Sequence, residues 1–213
     1  MRTKIEATWI VGYERGQHRL IRDGVVVYEG NAILYVGKTF EGHVDRTIAA
    51  RDKLVAPGFI DTHVHSGHRA SHRLITDTGR PMYFGQPFLE ISVPKEGKVV
   101  KGDPRYLKHG DAGSEAAFRL NATFTVAELL RNGVTTFVEY GSQLRVQDAL
   151  LAEVTRLGTR AYLAPGYDCG RWVGDEQGRL KRVRNDPLGL DGLKTALDWI
   201  ARHDGAVDGR VRG

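Results

Sequence analysis

The pattern of the chain changes at Pro57–Gly58, and that change limits the possible folds more than any other feature of its 213 residues. Before it, apolar runs at residues 5–11, 25–28 and 32–36 are separated by Gly-bearing turns at 22–24 and 29–31. A further strand pair is expected near 46–50 and 53–55. Strand and turn spacing of this kind predicts a small all-β unit over residues 1–57. Beyond it, over 58–213, short β-branched runs alternate with helical periodicity. Strands are expected at 59–65, 134–139 and 159–164, with helices at 114–132, 144–157 and about 190–203. Strand–helix alternation predicts a parallel sheet built from βα units, so the fold class is α/β.

Local signals support these limits. Ser114 suits a helix N-cap, while Gly133 and Gly158 follow helical runs as stop signals. Residues 68–113 form a polar stretch bearing Gly and Pro, with a short helix or turn expected near 84–91. A stretch that long in a compact domain is usually functional or holds small elements of its own. Residues 167–186 read as a polar loop.

Charge and cysteine use narrow the function classes. Net charge is +5, but the basic residues are scattered apart from Arg179, Lys181, Arg182 and Arg184. No aromatic side chains alternate with that cluster as a stacking platform for bases needs, so it reads as a solvated loop and no nucleic-acid partner is expected. Cys169 is the sole cysteine. No intramolecular disulfide can form, which fits a reducing compartment. No signal-peptide core and no run of about 18 apolar residues is present, so a cytoplasmic protein with no membrane partner is expected.

Residues 56–65 read APGFIDTHVH. On a strand, side chains alternate between faces, which puts Asp61, His63 and His65 on one side. Two imidazoles at i and i+2 can converge on one divalent ion, Zn²⁺ first, with Fe and Ni also accepting them. Two ligands do not make a site, because catalytic zinc generally takes three protein ligands and an open position. A lone pair is also weak evidence. With 8 histidines in the chain, about 0.3 such pairs arise by chance, and a purely structural histidine pair stays open.

Context makes the motif more specific. APGFIDTHVH resembles the first barrel strand of the amidohydrolase superfamily, metal-dependent hydrolases built on a (β/α)₈ barrel. LLRNGVTTFVEYG (129–141) resembles its second strand with the feeding helix. GTRAYLAPGYDCGRW (158–172) is similar to the third strand and loop of the aminohydrolase and chlorohydrolase branch. The resemblance implies an N-terminal β-sandwich followed by the first three βα units of an incomplete barrel. It implies that His63 and His65 bind the metal and that Asp61 supports them without binding it. The family's remaining ligands and its proton-shuttling glutamate lie on later strands that do not occur here. Too few residues follow Gly58 to close a barrel of about 250. We therefore expect an N-terminal portion of a longer enzyme, inactive by itself.

Other candidates are weaker. Glu139, Tyr167 and Arg171 are expected on the rim at the C-terminal strand ends, where barrel enzymes place substrate-binding groups. Arg171 could clamp a carboxylate or polarised carbonyl, with Asp168 beside it. A salt bridge for Glu139 and loop bracing for the other two are the alternatives. His68 and His72 read as a solvated loop at the site mouth, while His109, His203 and Cys169 are assigned no chemistry. The resemblance implies a metal-dependent hydrolase of non-peptide C–N bonds, of deaminase or amidohydrolase type, acting on a small molecule through metal-activated water. The full-length enzyme could be a homo-oligomer. The alternative is a non-catalytic remnant or assembly module of the same fold.

Overall fold

The computed structural model describes residues 1–66, 115–174 and 180–213, with the side chains at 171–174, 180 and 181 outside that description. The expectations at 84–91 and for Ser114, His68, His72 and His109 lie outside the described residues. The chain divides into two compact units, Met1–Gly58 and Phe59–Gly213.

The first unit holds β1 (Arg2–Glu14), β2 (Gln17–Glu29), β3 (Ala32–Gly37) and β4 (Arg46–Val55) in the order β3-β2-β1-β4. β1 and β2 form an antiparallel hairpin. Its tight turn lies at Arg15 and Gly16, both at positive φ (51° and 81°), which matches the right-handed twist of the strands it joins. β4 runs parallel to β1, so the sheet is mixed. Ala7, Ile10 and Val26 form its small core, packed by Ile21, Ala50 and Val55. Asp45 accepts from the Arg2 backbone N–H at 2.6 Å, and that bond, with His43, holds its carboxyl below the usual Asp value.

Three expectations change here. The turn at 22–24 is absent, since β2 runs through it and Gly24 pairs with Ala7. A Cβ at Gly24 would sit 2.9 Å from the Gly37 carbonyl, so glycine serves close backbone approach there, not chain reversal. The strand pair at 46–50 and 53–55 is one strand, β4, whose register on β1 shifts between Ala7 and Trp9. Of the expected composite sandwich, one layer is present. Among the described residues this unit is a single four-stranded sheet.

The second unit contains β5 (Phe59–Val64), α1 (Glu115–Arg131), β6 (Val134–Tyr140), α2 (Leu144–Leu157), β7 (Arg160–Ala164), β8 (Gly170–Gly174), β9 (Leu180–Arg184), α3 (Asp186–His203) and β10 (Val211–Arg212). The order β10-β7-β6-β5 is parallel at every step. Gly158 ends α2 in the left-handed region (φ 83°), its N–H bonding to the Val154 carbonyl, as a helix C-terminus favours. Phe137, Leu150, Leu163, Val126 and Val154 are fully buried, with Phe118, Ala161, Trp199 and Val211 beside them. Helices α1, α2 and α3 thus pack on the sheet face that carries Phe137 and Leu163.

The polar loop expected at 167–186 contains the antiparallel hairpin β8–β9. Its second strand, LKRVR, has three basic residues in five and no period-two pattern, so periodicity does not mark it. α3 also begins four residues earlier than expected. Asn185 caps it by accepting the Leu188 N–H at 3.1 Å, and a proline occupies the first turn, where its missing N–H costs nothing. Arg184 is paired on Asp186 at 2.8 Å, which raises the guanidinium's affinity for its proton and locally neutralises part of the basic cluster. Among the described residues no helix is long and apolar enough to cross a membrane.

Candidate functional site

The site forms where β5 and β6 end side by side. Val64 pairs with Glu139, so His65 emerges next to Tyr140. His63 Nε2 and His65 Nε2 lie 3.0 Å apart, with ring centroids 4.8 Å apart and planes nearly perpendicular. Both histidines are exposed. His65 Nδ1 lies 3.1 Å from the Tyr140 carbonyl oxygen. A carbonyl only accepts, so this bond assigns the proton to Nδ1 and makes Nε2, which faces His63 Nε2, the acceptor nitrogen. The Tyr140 ring lies against the other imidazole, 4.9 Å from His63 at 33°. One residue of β6 therefore orients both histidines, through its backbone for His65 and its ring for His63.

Asp61 shares their side of β5. Its Oδ1 accepts the His63 backbone N–H at 3.0 Å, which fixes the strand end and turns the carboxylate toward the backbone. Glu139, expected on the rim, is fully buried on the opposite, helix-covered face. Its Oε1 accepts from Ser66 Oγ at 3.0 Å and from Ser142 Oγ, and its Oε2 accepts from Gln147 Nε2.

Tyr167 is 47% exposed and lines a cleft of about 460 Å³ with Asp168, Gln143, Leu188 and Thr195. Glycines set its position: a Cβ at Gly192 would meet the Tyr167 Cβ at 2.7 Å, and one at Gly189 would meet the Cys169 Cβ at 2.7 Å. Only bare backbone lets α3 lie this close to the loop after β7. Arg171 lies on β8, and its side chain is outside the described residues. Cys169 is partly buried and lies 3.6 Å from Arg182 Nη2. His203 stacks on Trp199, 4.2 Å between centroids, and bonds its carbonyl at 2.8 Å, a helix-end role.

The two imidazoles fit part of a metal site. At ligand distances of 2.0–2.1 Å, two nitrogens on one ion lie about 2.8–3.4 Å apart, and the Nε2 pair falls inside that span. The Nδ1–H bond of His65 to a backbone carbonyl is the orientation metal-binding histidines favour. Among the described residues no group of three His, Cys, Asp or Glu surrounds a common point. Sequence reasoning missed Tyr140, Ser66 and Gln147. Strand parity could have found Tyr140, because it faces the side opposite Glu139.

No family model matches the chain. It is 28% identical over 153 residues to an imidazolonepropionase from Streptomyces coelicolor, covering 65% of this chain and 35% of that protein. It is 29% identical over 193 residues to a 5-methylthioadenosine/S-adenosylhomocysteine deaminase from Thermococcus onnurineus, covering 84% and 39%. Among solved structures, a triazine hydrolase variant superposes with a TM-score of 0.67 at 23% identity, covering 99% of this chain and 45% of that one. An adenosine deaminase from Xanthomonas campestris with bound zinc gives 0.60 at 15% identity, covering 99% and 41%. The chain thus spans less than half the length of each of these proteins. A mixed sheet followed by a parallel sheet with helices fits the N-terminal part of their fold. Relatives and structural neighbours together point to the amidohydrolase superfamily, and the chain spans only part of each of them.

Proposed function

We propose that the full-length protein is a metal-dependent hydrolase of non-peptide carbon–nitrogen bonds in a small molecule, and that His63 and His65 are two of its metal ligands. The observation that carries the reading is the convergence of the two Nε2 atoms at 3.0 Å at the C-terminal end of a parallel strand, the end where barrel enzymes place their chemistry. The names of the relatives support it, since deaminases recur among them. On this reading β5, β6 and β7 are the first three strands of a (β/α)₈ barrel, and the remaining ligands and the acid/base group lie outside the described residues. Zinc is the favoured ion, by analogy with the zinc-bound neighbour; Fe and Ni accept the same donors.

A divalent ion held there would supply the acidity that makes water a nucleophile near neutral pH. This chain's own residues prepare its binding. Tyr140 keeps the proton of His65 on Nδ1, and so keeps Nε2 unprotonated, the form in which imidazole binds a metal. Asp61 pins the backbone of His63. Tyr167 and Arg171 are assigned to the substrate rim, with the cleft beside Tyr167 as the place of contact.

The test is hydrolysis itself. Ammonia release from a panel of amino-substituted heterocycles, and ring opening of a panel of cyclic amides followed by chromatography, should disappear when the full-length protein is stripped with dipicolinate. Zinc should restore both in the unaltered protein but not in His65→Ala. Activity indifferent to both chelation and His65→Ala would overturn the reading, and no activity with any metal would favour the non-catalytic module.

A further inference from the structure

We propose that Glu139 is the positioning residue for His65, holding the direction and tautomer of that imidazole from the far side of the sheet. The inference rests on reading His65 as a metal ligand, and it goes further by saying what keeps that ligand in place. Glu139 and Gln147 are both fully buried, and a carboxylate removed from water is unfavourable unless its oxygens are bonded. Here they are bonded by Ser66, Ser142 and Gln147.

The placement of these donors carries the argument. Ser66 follows His65 in the chain, and Tyr140 follows Glu139. The two dipeptides are therefore joined twice, by His65 Nδ1 to the Tyr140 carbonyl at 3.1 Å and by Ser66 Oγ to Glu139 Oε1 at 3.0 Å. Together these bonds close a ring of covalent and hydrogen bonds around the strand ends. His65 cannot turn from Tyr140 without breaking one bond or dragging Ser66 from the carboxylate. Ser142, in the turn after β6, and Gln147, in the first turns of α2, fix the carboxylate in turn. The helix thus sets the acid, the acid sets Ser66, and Ser66 sets His65.

The network also carries a defect that simple packing does not explain. Gln147 gives its Nε2 to Glu139 while its Oε1 is buried without a hydrogen-bond partner. An apolar pair of similar shape would avoid that loss. A polar network kept despite it is accounted for by what it holds.

The experiment uses three variants and two readouts. Glu139→Leu removes the acceptor at similar size. Glu139→Gln keeps it, because the Gln147 amide can turn over and use its unpartnered Oε1 to accept from the new amide. Ser66→Ala cuts only the link to His65. Long-range ¹H–¹⁵N spectra of the metal-free protein report the His65 tautomer, and a Co²⁺ titration reports affinity.

The unaltered protein and Glu139→Gln should both show the Nδ1–H form. Glu139→Leu and Ser66→Ala should lose that preference and bind Co²⁺ about 10–100-fold more weakly, the cost typical of losing an outer partner of a ligating histidine. A folded Glu139→Leu that keeps both the tautomer and the affinity within twofold would overturn the proposal. If that variant does not fold, Ser66→Ala decides by the same criterion. Should Co²⁺ binding prove independent of His63 and His65, the metal reading fails while the tautomer still decides the role of Glu139.

Discussion

Replacing His65 with alanine is expected to weaken Zn²⁺ or Co²⁺ binding by more than about a hundredfold while leaving the second unit folded, with a melting temperature lower by only a few degrees. The stability half follows from exposure. His65 is solvent-facing, and its side-chain bonds run to Tyr140 and His63, each contributing about 0.5–1.5 kcal/mol net at most. The affinity half follows from comparison. Losing a partner that only orients a ligating histidine costs 10–100-fold, and losing the ligand itself costs more. His63→Ala should weaken binding as well. It leaves His65 locked against Tyr140, though, so the remaining nitrogen is still presented. Because both side chains serve one ion, the double variant should fall short of the sum of the single losses. Competition with a chromophoric chelator measures all three. An affinity for His65→Ala within threefold of the parent would sink this prediction.

Gly166→Ala should lower the melting temperature of the second unit and weaken metal binding at the same time. A Cβ at Gly166 would fall on the Gly141 carbonyl group. The two loops are interlocked by backbone bonds, Gly166 N–H to the Ser142 carbonyl and Gly141 N–H to the Ala164 carbonyl, each 2.9 Å. Both sides of the clash are main chain, so no flexible side chain can yield. Overpacking typically costs 1–3 kcal/mol, and backbone overlap belongs at or above the upper end. Taking about 3 kcal/mol, a domain of this size should lose roughly 6–12 °C. Gly141 directly follows Tyr140, so any relaxation there moves the carbonyl that holds His65. Calorimetry and the chelator assay on one preparation test both halves. A melting temperature unchanged to within 1 °C would show that the loops part without cost.

Much of this arrangement is legible in the sequence, for reasons that separate cleanly. Period-two alternation puts His63 and His65 on one side of β5, because strand geometry is local. The strand–helix alternation after Gly58 marks the parallel sheet, and Gly133 and Gly158 mark where helices stop, since left-handed backbone selects glycine. What escapes is whatever depends on pairing between strands. Glu139 ends β6 and so reads as a rim residue, yet its partner across the ladder is the buried Val64, and that register turns it into the core. Tyr140 acts on His65 through its carbonyl, an atom every residue has, which leaves no mark in the side-chain pattern. Ser66 and Gln147 matter only because Glu139 lies between them. In the first unit, Asp23 and Gly24 look like a turn because they tolerate unusual backbone. The sheet instead uses the missing side chain of Gly24 to bring β3 close.

The central claim, that these two imidazoles share one divalent ion, is most directly tested by X-ray absorption at the zinc edge of the reconstituted full-length protein. The account predicts at least two imidazole nitrogens at about 2.0–2.1 Å, with the imidazole scattering reduced in each single variant and further in His63→Ala/His65→Ala. A zinc environment identical in the parent and the double variant would contradict it.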